Sequence, residues 1–107
     1  MERLQQIINY LKTEPNDPFL NYALALEYLK IDNLQQATNI FENLLKIAPN
    51  YSATYYHYGQ LLQKQNQKQA AISMYNQGIK IAQQNKEQHA LSELQSALLE
   101  LEMEDLM

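Results

Sequence analysis

Cysteine is absent from this 107-residue chain, so neither a disulfide framework nor a thiolate metal site can hold it together. Glycine is nearly absent too: Gly59 and Gly78 are the only two. No phosphate-cradling loop on the dinucleotide or P-loop plan can be built from them. The two histidines, His57 and His89, lack any ligand spacing of the His-Glu-x-x-His kind, and both read as structural or surface residues. Glu100 and Glu104 stand one helical turn apart, but two flexible carboxylates make a poor cation cage. No metal and no cofactor are expected. Basic residues are in deficit, 8 against 12 acidic ones for a net charge of −4, which argues against a phosphate-backbone binder and so against nucleic acid as a partner. No apolar run approaches the roughly 18 residues of a membrane span, and the first segment, MERLQQIINYLK, alternates at helical spacing and has no signal-peptide core. A nucleophile, a base and an oxyanion donor set are all missing. The expectation is a cytoplasmic, non-enzymatic protein of one domain, without a membrane partner.

What the chain does have is a period. Shifting it by 34 residues superposes Tyr22 on Tyr56, Lys30 on Lys64, Gln35 on Gln69, Ala37 on Ala71, and Lys46-Ile47-Ala48 on Lys80-Ile81-Ala82, with Phe41 falling on Tyr75. A repeat of this length is the mark of a supersecondary unit that buries its apolar face against its neighbours. The second copy reads Tyr55-x2-Tyr58-Gly59-x2-Leu62 and then Ala71-x3-Tyr75; the first reads Leu24-Ala25-x2-Tyr28, Ala37-x3-Phe41 and Pro49.

These two runs resemble the tetratricopeptide repeat, with its Trp-x2-Leu-Gly-x2-Tyr, Ala-x3-Phe and Pro positions. The departures are Asn21 in place of the first aromatic, Ala25 in place of glycine, and Gln83 in place of the second proline. The resemblance implies an all-α fold of about six helices, antiparallel helix pairs stacked into a right-handed superhelix, and a function in protein–protein interaction. It also implies that the front helix of each pair lines a concave groove.

In chain order, residues 2–13 read as an amphipathic helix carrying Leu4, Ile7, Ile8 and Leu11, the back half of a repeat spanning 1–17. Asp17 is placed to cap, and Pro18 to start, the front helix of the repeat 18–51. Asp32-Asn33 turns the chain into a back helix from Leu34 to Ala48, stopped by Pro49. The repeat 52–85 turns at residues 65–67, where the Gln- and Asn-rich run supplies polar helix surface. Asn85, two periods after Asp17, is expected to cap a closing helix spanning 86–107. There Leu91, Leu94, Leu98 and Leu101 form a docking arc. Glu93, Glu100 and Glu104 share another face, in a functional reading an acidic ridge for a basic partner; the solvated outer face of a terminal repeat is the preferred reading.

Groove positions follow from helical angle. Leu24 and Tyr28 point into the helix pair, so Tyr22, Leu26 and Leu29 lie opposite, with Leu26 read as inter-repeat core; the same positions one period on are Tyr56, Gln60 and Gln63. Lys30 and Lys64 end the front helices and join the set. Lys12, Lys46 and Lys80 read as last-turn cations facing the helix dipole. The candidate partner site is therefore Tyr22, Leu29, Lys30, Tyr56, Gln60, Gln63 and Lys64, tyrosine being a rigid amphipathic anchor. The family subset that clamps a chaperone carboxylate tail with lysine, asparagine and arginine is not matched, because the corresponding places hold Tyr22 and Leu26, Tyr56 and Gln60, and Ala90 and Leu94. A protein or peptide of mixed apolar and polar character fits better. A different class of function, self-assembly as a homodimer, would use the apolar faces Ile7, Ile8 and Leu11 at one end or Leu99, Met103 and Leu106 at the other.

Overall fold

Hydrophobic residues at helical spacing, punctuated by Asp17-Pro18, Asp32-Asn33 and Pro49-Asn50, leave the backbone little choice but a series of short helices. The computed structural model describes residues 2–106, and among them there are six α-helices and no strand. These are α1 (Glu2–Leu11), α2 (Pro18–Lys30), α3 (Leu34–Ile47), α4 (Ser52–Lys64), α5 (Lys68–Asn85) and α6 (Gln88–Met103), followed by a single 3₁₀ turn, η1 (Glu104–Leu106). They form two compact units, residues 1–49 and 50–107.

In the first unit α1 and α3 both pack on α2. Leu4 and Ile7 of α1 are buried, as are Ala23 and Ala25 of α2 and Ala37, Phe41 and Leu44 of α3. Asp17 caps α2 as expected, accepting the Leu20 N–H at 2.9 Å, with Pro18 at the first helical position. Asn33 caps α3 in the same way, through Gln36 N–H at 3.3 Å. The departure at Asn21 has its own use: the side chain is 7% exposed, and its Nδ2 donates to the carbonyls of Pro15 and Asp17 at 3.0 and 2.9 Å. An amide thus ties down the preceding loop where the repeat pattern would place a ring. Across α1 and α2, the Glu27 carboxylate lies 3.2 Å from Arg3 Nε and 2.9 Å from Lys30 Nζ. The Lys30 hydrogen bond, more than any other contact, holds the Glu27 pKa below the usual glutamate range.

The second unit repeats the hairpin with tighter contacts. Tyr55, Tyr58, Gly59, Leu61 and Leu62 of α4 are buried, and Ala71, Tyr75, Gly78 and Ala82 face them from α5. A Cβ added at Gly59 would collide with Tyr75 Cε1, and one at Gly78 would lie 2.6 Å from Tyr55 Cβ and 2.9 Å from Leu94 Cδ2. Both glycines are therefore required by close approach, Gly78 at the meeting of α4, α5 and α6. Both front helices end alike. Asp32 and Asn66, 34 residues apart, adopt the left-handed backbone (φ 60° and 63°), and the next residue's N–H reaches back to Tyr28 O and Leu62 O respectively, each at 2.9 Å.

The closing segment departs from the expected plan. Pro49 ends α3 early, but Gln83 at the equivalent place lets α5 run on to Asn85, four residues beyond the point one period after Ile47. Lys86 then stops it in the left-handed region (φ 59°), with the Glu87 N–H bonded to Ala82 O at 2.9 Å. Asn85 is thus the last residue of α5 and not a cap for α6; its Nδ2 donates to Asn50 O and Glu87 Oε1 at 2.8 and 2.9 Å. Lys80 likewise falls inside α5 and not in its last turn, while Lys12 follows α1. α6 starts 36 residues after α4, not 34. Leu94 and Leu101 are its buried residues, with Leu91 and Leu98 half-buried beside them.

Candidate cleft between the fourth and sixth helices

The two extra residues before α6 change what its helix presents. With a 34-residue offset Ala90 and Leu94 would face the same way as Tyr56 and Gln60; with the observed offset Ser92 and Ser96 do, and Leu94 turns into the core against Gly78. The result is a cleft of about 340 Å³ with polar walls. One wall is Tyr56, Gln60 and Gln63 of α4, at i, i+4 and i+7. The other is the stripe His89, Ser92, Glu93, Ser96, Ala97 and Glu100 of α6, and Tyr75 of α5 lies between them. A second hollow, lined by Gln60, Gln63, Lys64, Asn66 and Glu104, continues from the shared glutamines.

The cleft's polar groups are organised by short hydrogen bonds. The fully buried Tyr75 donates its hydroxyl proton to Gln63 Oε1 at 3.0 Å, and Gln63 Nε2 points at Glu104 Oε1, 3.5 Å away. Gln60 Nε2 donates to the Tyr56 hydroxyl oxygen at 3.0 Å. Burial is the main reason that the Tyr75 hydroxyl is pushed up to about 12, with Tyr56 and then the Glu100 carboxylate adding to it. His57 meets Tyr56 edge-on, ring centroids 5.2 Å apart; burial lowers its basicity, and Glu93 opposes that shift. His89 Nε2 sits 3.7 Å from Glu93 Oε2 on the exposed side of α6.

The structure brings Tyr56, Gln60, Gln63 and Lys64 together on one unit. Tyr22 and Leu29 lie half-buried on α2 of the other, where Lys30 is engaged by Glu27. Sequence reasoning missed the whole α6 wall and the part played by Tyr75. The polar stripe at three- and four-residue spacing from His89 to Glu100 was the available signal; its Glu93 and Glu100 were weighed as an acidic ridge for a basic partner but read as a solvated face. Of the apolar faces considered for self-association, Ile7 is buried within the first unit and Ile8 and Leu11 are half-buried, whereas Leu99, Met103 and Leu106 are 57%, 48% and 83% exposed. Among the described residues no three His, Cys, Asp or Glu side chains gather as a metal site, and no helix is long and apolar enough to cross a membrane.

The tetratricopeptide repeat profile matches residues 28–94, more than half of the chain. The chain belongs to the tetratricopeptide repeat family. Among solved structures, the tetratricopeptide repeat domain protein of Salinibacter ruber is similar at 46% identity with a TM-score of 0.79, over 82% of this chain and 89% of that one. A protein from Bordetella parapertussis shares the fold at 24% identity and a TM-score of 0.81, over 95% of this chain and 89% of that one. Human aspartyl/asparaginyl beta-hydroxylase is 32% identical over 79 residues, 74% of this chain and 10% of the hydroxylase. This tetratricopeptide repeat chain thus spans a tenth of that relative's length. The family's helix-pair repeats are protein-interaction modules in general.

Proposed function

We propose that this chain binds an extended or helical segment of a partner protein, in a cytoplasmic setting, and that the segment lies in the cleft between α4 and α6. The supporting observation is that Tyr56, Gln60 and Gln63 face Ser92, Ser96 and Glu100 across an open hollow whose floor is held by the bond from Tyr75 to Gln63. Such a surface offers a rigid ring and several hydrogen-bonding groups already ordered before a ligand arrives, which lowers the entropic cost of binding. Tyr56→Ala tests it. The variant should keep its thermal midpoint and lose most of the partner captured by the unaltered protein in affinity purification followed by mass spectrometry. Capture that survives the substitution contradicts the proposal, and a large drop in midpoint moves Tyr56 into the core. A second reading, self-association, is favoured by the exposure of Leu99, Met103 and Leu106 at one end of the second unit. Light scattering across a concentration series separates it from the first, since only self-association raises the mass with concentration.

A further inference from the structure

The charge on the cleft walls narrows what the bound segment must carry. Glu93 and Glu100 contribute two carboxylates to the cleft between α4 and α6, and no lysine or arginine lines it; Glu104 faces the adjoining hollow, where Lys64 is the cation. His89 is the basic group of this cleft, on its exposed edge and 3.7 Å from Glu93. Opposite the carboxylates stand the half-buried ring of Tyr56 and the amide oxygens of Gln60 and Gln63, with the buried ring of Tyr75 beneath them. A planar cation meets all of these demands at once: its face stacks on a tyrosine ring, its N–H groups form a fork for a carboxylate, and its remaining donors reach amide oxygens. An acidic segment would meet like charge at Glu93 and Glu100, and an apolar one would leave both carboxylates desolvated without a partner.

We propose that the cleft takes an arginine side chain of the partner segment, its guanidinium between Tyr56 on α4 and Glu93 and Glu100 on α6. This rests on the reading of the cleft as the peptide site and specifies its ligand. The cleft's two walls come from different helices, so α6 supplies the charge and α4 the stacking surface. Lysine would satisfy the charge but neither the fork nor the stack.

The test uses the whole chain and two short probes, acetyl-Ser-Ala-Arg-Ala-Ser-amide and the same peptide with citrulline, a neutral isostere, in place of arginine. Backbone amide NMR titrations should show shifts at Tyr56, Gln60, Ser96 and Glu100 with the arginine peptide, and a response weaker by at least about tenfold with citrulline, as expected for loss of a charge-assisted bidentate contact. Glu100→Gln should reduce the arginine response by a similar factor while Glu42→Gln, on α3 of the other unit, leaves it unchanged. Equal responses to the two peptides, or an equal loss from Glu42→Gln, overturns the proposal by showing that the cleft ignores the charge or that only net charge matters. A selection of displayed random peptides against the chain keeps the two levels apart. Selected sequences rich in arginine support the inference. Sequences that lose binding to Tyr56→Ala but carry no basic residue overturn it and leave the cleft standing as the peptide site, and sequences insensitive to Tyr56→Ala overturn both.

Discussion

The two hairpins α2–α3 and α4–α5 are built on one plan and filled in two ways. Positions 21 and 44 hold asparagine and leucine in the first, while the equivalent 55 and 78 hold tyrosine and glycine in the second. A large residue on the front helix is matched by the smallest on the back helix, and the reverse, so similar space is filled from opposite sides. A second exchange concerns polarity. Ala25, Leu29 and Phe41 of the first unit become Gly59, Gln63 and Tyr75 in the second. The glycine makes room for the ring, and the glutamine gives the added hydroxyl an acceptor at 3.0 Å. Adding that hydroxyl with no acceptor would leave a buried polar group costing about 1–3 kcal/mol. The three changes therefore work as a set, and they convert an apolar interior position into the ordered floor of a cleft.

The sharpest way to break this comparison is to charge the docking face of the second unit. Leu94→Asp places a carboxylate at a site 1% exposed and packed against Gly78, and circular dichroism should show the unit unfolded, since an unpaired buried charge costs more than a domain of about 5–15 kcal/mol can spare. Met103→Asp, on the exposed side of the same helix, should leave the helical signal and melting curve intact. Gly59→Ala comes next. Its Cβ would meet a ring fastened at its hydroxyl, and overpacking of about 1–3 kcal/mol should outweigh the roughly 1 kcal/mol gain in helix propensity, for a net loss of up to about 2 kcal/mol in denaturant melts. Combining it with Tyr75→Phe should cost less than the sum of the two single changes, because a ring released from Gln63 can shift. Additivity would mean that the set is not coupled. In the first unit, Asn21→Ala should cost about 1–3 kcal/mol by removing the side-chain donor to the Pro15 and Asp17 carbonyls, the latter keeping only the backbone N–H of residue 21.

The smallest effect is a pH dependence. Tyr75 keeps its proton to about pH 12 in the folded chain, whereas an unfolded tyrosine releases it near pH 10. Between those values the folded state binds more protons, so stability is fully present below about pH 10 and falls as pH rises toward 12. Tyr75→Phe should make the decline in melting temperature over that window shallower, and an unchanged slope would show that Tyr75 does not cause it.

Much of this was legible in the sequence. The 34-residue period, the caps at Asp17 and Asn33 and the stop at Pro49 each act through local backbone chemistry, so the hairpins could be read directly. The α4 wall of the cleft followed from helical angle once Leu24 and Tyr28 were placed inward and the opposite positions carried one period on. The α6 wall did not, because its register depends on where α5 ends. Gln83 permits the helix to continue without saying how far, and Lys86 is an ordinary residue in a left-handed conformation that lysine does not advertise. A two-residue slip there brought Ser92, Ser96 and Glu100 around to face Tyr56, while Leu94 kept the inward place its apolar spacing assigns. Tyr75 was legible as a core ring but not as a cleft residue, since that role depends on Gln63, twelve positions earlier and on another helix.

The central claim is that recognition is centred on this cleft of the second unit. The most direct measurement is a backbone amide NMR map of the full chain bound to a peptide selected from a random display library. The largest shifts should fall on Tyr56, Gln60 and Gln63 of α4 and on Ser92, Ser96 and Glu100 of α6. Shifts centred instead on Tyr22, Leu29 and Lys30 of α2, or on Leu99, Met103 and Leu106, would contradict it.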